Sequence, residues 1–196
     1  MDYDPLIKDI SRFVTAFFDR NSNPSLLYHN YGHTLNVVNR VKEIGLNYPL
    51  SQTEIFVLEA AAWFHDCGQL LSNGQCHEEI GVSLMKKYFQ KIELSNEIVS
   101  SIEKCIMATQ IPHKPTSFLE GIICDADTYN LGTNEFPHTD ALLKREYELR
   151  GRSTRDWDAN TLKFLLQHEY FTEYCKGKLN VTKNENITLV QLRLKD

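Results

Sequence analysis

The sequence has no run of about 18 or more apolar residues, the length a membrane-spanning helix needs, so no span is expected. It has no excess of positive charge. Lys and Arg number 21 against 26 Asp and Glu, a net charge of -5, which argues against a non-specific or extended nucleic-acid binder. It has no CxxC pair. The five cysteines, Cys67, Cys76, Cys105, Cys124 and Cys175, are odd in number and scattered. That pattern suggests reduced thiols in a cytoplasm, most of them small core residues. The opening Met1-Asp2-Tyr3-Asp4-Pro5 lacks the basic and apolar regions of a signal peptide, in keeping with a cytoplasmic location. Repeats, linkers and low-complexity stretches are also missing.

What is present fits one globular domain over residues 1–196, with 42% hydrophobic and 24% charged residues. Apolar residues recur at intervals of three and four, which predicts an all-α fold and no sheet beyond two short strands. Asp4 reads as an N-cap before Pro5, opening an amphipathic helix in which Leu6, Ile7, Ile10, Phe13, Val14, Phe17 and Phe18 recur at three and four. A second helix follows Tyr28-His29-Asn30, with Leu35, Val38, Val41 and Ile44 as its stripe. Ser51-Gln52-Thr53-Glu54 is a capping box for a third, running to His65. Helices are expected from about His77, after Ser95, over 118–131, and from Pro137 to about Arg150. A last long helix is expected over 156–174, and a tail over 187–194 that fits helix better than strand.

The third helix closes on Trp63-Phe64-His65-Asp66-Cys67-Gly68, an imidazole and a carboxylate at the end of an apolar run. Burying either bare would cost several kcal/mol. Asp125-Ala126-Asp127 likewise sits in the apolar run after Ile122-Ile123-Cys124, and His33 lies near the start of the second helix. One shared metal ion accounts for all of these groups. A mixed nitrogen and oxygen set suits Mn, Fe, Co, Ni or Zn, with Mg also open.

His33, then His65-Asp66, then Asp127 resembles the H…HD…D pattern of the HD superfamily of metal-dependent phosphohydrolases. Tyr28-His29-Asn30-Tyr31-Gly32-His33 is similar to the YHNxxH element of the class I cyclic-nucleotide phosphodiesterases, and Ile106-Met107-Ala108-Thr109 to their IxAT stretch. Ala61-Ala62-Trp63-Phe64-His65-Asp66, His77-Glu78, the stretch Asp125-Ala126-Asp127 to Leu131-Gly132, and Lys144-Arg145-Glu146-Tyr147 resemble small bacterial HD-superfamily proteins. The resemblance covers roughly residues 25–175.

The resemblance implies a phosphodiesterase-like helical bundle with a divalent metal at the bottom of a cleft. It implies His33, His65, Asp66 and Asp127 as ligands, with Asp125 as the alternative to Asp127. Adjacent ligands on a helix point about 100° apart, so His65 and Asp66 converge only where the helix ends. His29 matches the phosphodiesterase histidine that protonates the leaving oxygen, and as a residue four before His33 it is placed on the same side. Asp66 and Glu78 join it as catalytic candidates, Glu78 orienting a metal water. His77, with Asp125, is the candidate for a second metal or an outer shell. Lys144 and Arg145, in a basic cluster with Arg150, Arg152 and Arg155, are candidates for phosphate binding, against the plainer reading of a solvated face paired with Glu146 and Glu148. The implied activity is hydrolysis of a phosphomonoester or phosphodiester of a small metabolite, a nucleotide foremost. The competing readings are a non-catalytic HD-type nucleotide sensor and, more remotely, a di-iron oxygenase. Specificity is assigned to the 69–76 and 110–117 loops, and a homodimer is left open.

Overall fold

The computed structural model describes residues 2–195. The helices are α1 Asp4–Arg20, α2 Tyr31–Gly45, α3 Gln52–Phe64, α4 His77–Phe89, α5 Asn96–Ala108, α6 Phe118–Asp127, α7 Phe136–Leu149, α8 Trp157–Gln167 and α9 Glu173–Arg193. Short 3-10 turns occupy Cys67–Leu70 and Tyr129–Gly132. Among the described residues there is no strand, and no helix is long and apolar enough to cross a membrane.

Helix α3 is the centre of the bundle. Phe56, Val57, Leu58 and the run Ala60 to Phe64 are all buried, so the helix is apolar around its whole circumference. Such a helix must be covered on every side, and α1, α2, α5 and α6 pack around it. Ser51 and Glu54 form the expected capping box at its start. Ser95 accepts from the Ile98 amide and starts α5. A second, smaller apolar cluster of Leu131, Phe136, Leu165 and Val190 ties α7, α8 and α9 together beside the main core.

Three local expectations are corrected. Asp4 is the first helical residue rather than the cap, its amide bonded to Asp2 Oδ1. Leu35 lies at the surface, and Val37 takes its place in the buried stripe of α2. The single helix expected over 156–174 is two helices, broken between Gln167 and Glu173. The break is imposed from far away in sequence. Asp125, at the end of α6, accepts from the amides of Phe171 and Thr172 and from Thr172 Oγ1 at 2.8, 2.8 and 2.7 Å. Thr172 Oγ1 in turn accepts from the Cys175 amide and caps α9. Cys175, Leu179, Lys183, Asn186 and Val190 then form one buried stripe, which is why the tail is helical to Arg193.

Asp125 is therefore a helix-terminal acceptor turned toward α9. Asp125→Ala would leave buried donors without partners and should lower stability by about 2–4 kcal/mol. Denaturant unfolding with an unchanged slope checks this; a loss under about 0.5 kcal/mol, the size of an ordinary surface substitution, would show that the clamp is not what holds α9.

Candidate metal centre

Local structure explains how the site forms. Asn30 caps α2, its Oδ1 accepting from the His33 amide at 3.1 Å, which fixes His33 in the first turn. Helix α3 ends at Phe64. Asp66 has left helical geometry, at φ -102 and ψ 3, before the 3-10 turn. That change of direction brings the adjacent His65 and Asp66 side chains to one point. Gly68 makes room for α4. A Cβ there would stand 2.0 Å from the His77 carbonyl oxygen, so only glycine lets the start of α4 approach this closely. Asp127 is the last residue of α6.

The ligand-type atoms of His33, His65 and Asp127 all lie within 4.8 Å of one another. His33 Nε2 is 3.0 Å from Asp127 Oδ1 and 3.4 Å from His65 Nε2. Asp66 Oδ2 lies 3.3 Å from each of these nitrogens. His65 Nδ1 is 2.8 Å from the Ala62 carbonyl oxygen. A carbonyl can only accept, so Nδ1–H donates and Nε2 is the nitrogen that faces the cluster, where Asp66 and Asp127 raise the ring's pKa well above its usual value against burial. Asp66 Oδ2 is fully buried and has no hydrogen-bond donor of its own. Burial opposes the charge on Asp66 and Asp127, yet the surrounding imidazoles hold both carboxyls well below their usual range. Two ionised carboxylates and two imidazole nitrogens converging on one point fit a divalent cation, which would displace the ring protons and satisfy the set together.

The neighbours of this cluster differ from expectation in several ways. His29 is outside α2, on the residue before the cap, so helical periodicity does not place it. Glu146 does. This carboxylate, 1% exposed, accepts from the amides of Tyr28 and His29 at 2.8 and 3.0 Å and from His29 Nδ1 at 2.6 Å. Arg150 donates to the same Glu146 at 3.1 Å, to Gln69 Oε1 and to the Ser72 carbonyl. Glu146 and Arg150 thus join the 28–29 segment, α7 and the 69–74 loop. In sequence Glu146 reads as part of a solvated charged face and Arg150 as one of the basic cluster beside it.

His77 stands on the other oxygen of Asp66, with Nε2 3.5 Å from Oδ1. Glu78 pairs with His77 Nδ1 at 3.3 Å and is one residue removed from the cluster. Asp125 is turned away and engaged by α9, as described above. Arg145 is exposed and paired with Glu148, and neither it nor Lys144 lines the cavities beside the cluster. The geometry thus sets the two apart from the phosphate role given them from sequence. The 69–76 loop reaches the site through Gln69 and Ser72, and the 110–117 loop contributes Ile111 to a cavity wall.

The His29–Glu146 pair has a definite pH signature. Burial raises the Glu146 carboxyl, but bonds from His29 and the Tyr28 and His29 amides outweigh it and take the value from 4.5 to about 2. Burial disfavours the His29 charge, yet Asp66 and Glu146 raise its pKa above 6.5. Stability from Glu146 is therefore present above 4.5 and lost as pH falls toward about 2. Stability from His29 is present below 6.5 and lost as pH rises through its raised value. Unfolding curves of wild type and Glu146→Gln should lie furthest apart between these limits and converge toward pH 2. A gap independent of pH would contradict the pairing.

No curated protein and no solved structure matches the chain. The family model of the HD domain matches residues 30–132, which include His33, His65, Asp66 and Asp127. HD domains bind divalent metals and are typically metal-dependent hydrolases. With the match spanning more than half of its length and all four clustered groups, the chain belongs to the HD domain family.

Proposed function

We propose that the protein is a metal-dependent phosphohydrolase acting on a small phosphorylated metabolite of the nucleotide class. The observation that carries the reading is the meeting of His33, His65, Asp66 and Asp127 at one buried point, with Asp66 Oδ2 lacking any donor. These four residues would hold the cation, Asp127 rather than Asp125 serving as the last ligand. Two imidazoles and two carboxylates suit Mn, Fe, Co, Ni or Zn, and Mg by its oxygen donors. When bound, the cation supplies Lewis acidity toward a phosphoryl oxygen and lowers the pKa of water. Asp66 faces His77 with its second oxygen, so His77 is the residue that would take part in a second cation site.

The protein's own groups handle the leaving oxygen. Glu146 engages Nδ1 of His29, which leaves Nε2 as the nitrogen that can deliver a proton. The paired Glu146 carboxylate favours the protonated ring, as a general acid needs. The buried Arg150 holds Glu146 in place and balances its charge, so the acid is carried by a fixed frame. Tyr28 packs against the His33 ring at 4.7 Å between centroids and closes the same wall. The direct test is a screen of nucleotides and other phosphoesters against the metal-loaded protein. Turnover of one class, abolished by a chelator, is expected; binding of nucleotides without turnover would favour the sensor reading instead.

A further inference from the structure

Two cavities open from the cluster, and their walls differ in kind. Tyr28, Asp127, Asn130 and Thr139 line both. The larger, about 600 Å³, continues over Asn30, Asn36, Asn134, Thr133, His138 and Arg40. Arg40 is already paired with Glu43 and lies over the Tyr129 ring at 4.2 Å, so its charge is satisfied. With the Glu135 carboxylate at its edge, this wall offers mixed donors and acceptors and no free positive charge, which suits hydroxyl groups. The smaller, about 360 Å³, continues over Leu143, Tyr147, Trp157, Phe164, Phe136 and Ile111. Away from the cluster, the buried Asp140 is engaged at Oδ1 by Trp157 Nε1 and at Oδ2 by Arg193, at 3.0 and 2.7 Å. Tyr147 and Trp157 meet edge to face at 5.3 Å. This wall suits a flat apolar group. His33 lines only the polar cavity, and His29 lines only the apolar one.

A monoester has one organic substituent and would leave one of these cavities unused. We infer that the substrate is a phosphodiester with one flat apolar and one hydroxylated substituent, and that the bond cut is the one to the apolar side. The inference rests on the phosphohydrolase reading. In the step, the oxygen of water bonds to phosphorus and the phosphorus–oxygen bond to the apolar substituent breaks. That oxygen keeps the bonding pair and takes the His29 proton. One proton of the water restores His29, and the other stays on the phosphate or passes to solvent. The products are an apolar alcohol and the phosphomonoester of the hydroxylated part.

Benzyl glyceryl phosphate tests the polarity of the cut, because its two alcohols are of similar basicity and intrinsic leaving ability does not decide the outcome. The metal-loaded protein should release benzyl alcohol and glycerol phosphate; release of glycerol and benzyl phosphate would overturn the inference. Calorimetric binding of benzyl phosphate and of glycerol phosphate provides a readout separate from turnover. Trp157→Ala should weaken benzyl phosphate about tenfold and leave glycerol phosphate within about twofold. Leu143→Trp, which fills the same cavity and keeps Trp157 as the partner of Asp140, should do the same and decides the matter if Trp157→Ala does not fold. Equal weakening of both ligands would overturn the cavity assignment. The expected binding pattern without hydrolysis of any phosphoester would instead overturn the phosphohydrolase reading and leave the assignment of the two cavities standing.

Discussion

His65→Ala should lose the bound cation and melt well below the wild type. The residue is buried to 1% exposure, and its Nε2 is 3.3 Å from Asp66 Oδ2 and 3.5 Å from Asp127 Oδ1. Losses in outer-shell partners alone cost about 10–100-fold in metal affinity, so removing a ligand should cost more than about 100-fold. The second effect is on the fold. Without the ring and without the cation, Asp66 and Asp127 remain close, buried and like-charged, a situation that costs about 3–5 kcal/mol when one member of a buried charge set is removed. Elemental analysis and thermal melting of the two proteins, each purified and loaded identically, check both parts. Equal cation content would contradict the ligand assignment. Loss of cation with an unchanged melting temperature would contradict the claim that the metal satisfies the buried carboxylates.

His29→Ala should keep the cation and the fold but lose about 10²–10⁴-fold in turnover of substrates with poor leaving groups. The magnitude follows from the role of a general acid, whose proton matters in proportion to the basicity of the oxygen that departs. An activated aryl phosphate should therefore be slowed far less. The structure adds a further comparison. Glu146 holds Nδ1 of His29, so Glu146→Gln should lower the acid's pKa and shift the basic limb of the pH–rate profile to lower pH, while the alanine variant removes that limb. Equal slowing of both substrate types by His29→Ala would mean that the residue shapes the pocket and does not deliver the proton.

The parts of the site visible in the sequence are those whose chemistry conflicts with their local surroundings. His65-Asp66 and Asp125-Ala126-Asp127 interrupt apolar runs, and burying them bare is so costly that a shared ligand is the economical explanation. The choice between Asp125 and Asp127 was not visible, because it turns on where the α6 backbone ends and on Phe171 and Thr172, 46 and 47 residues further on. The same long-range contact breaks the helix expected over 156–174. Its residues carry no strong stop signal, and the break comes from the Asp125 carboxyl reaching across the fold. Glu146 and Arg150 were hidden for the opposite reason. They sit in a charged stretch in which Arg145 and Glu148 are what they look like, an exposed pair. Nothing local distinguishes a buried Glu-Arg pair one turn apart from a solvated one. The all-helical architecture was legible because period alone decides it, and only the caps and the interruption needed tertiary context.

The four-residue cluster should hold a cation on which phosphoester hydrolysis depends. Titrating Mn²⁺ into chelator-stripped protein while following product release from a responsive phosphoester measures this most directly. Turnover should be absent without the cation, rise in proportion to its occupancy, and stay absent in an Asp127→Asn variant that remains folded. Full turnover by the stripped protein, or turnover by Asp127→Asn at the wild-type rate and cation dependence, would contradict it.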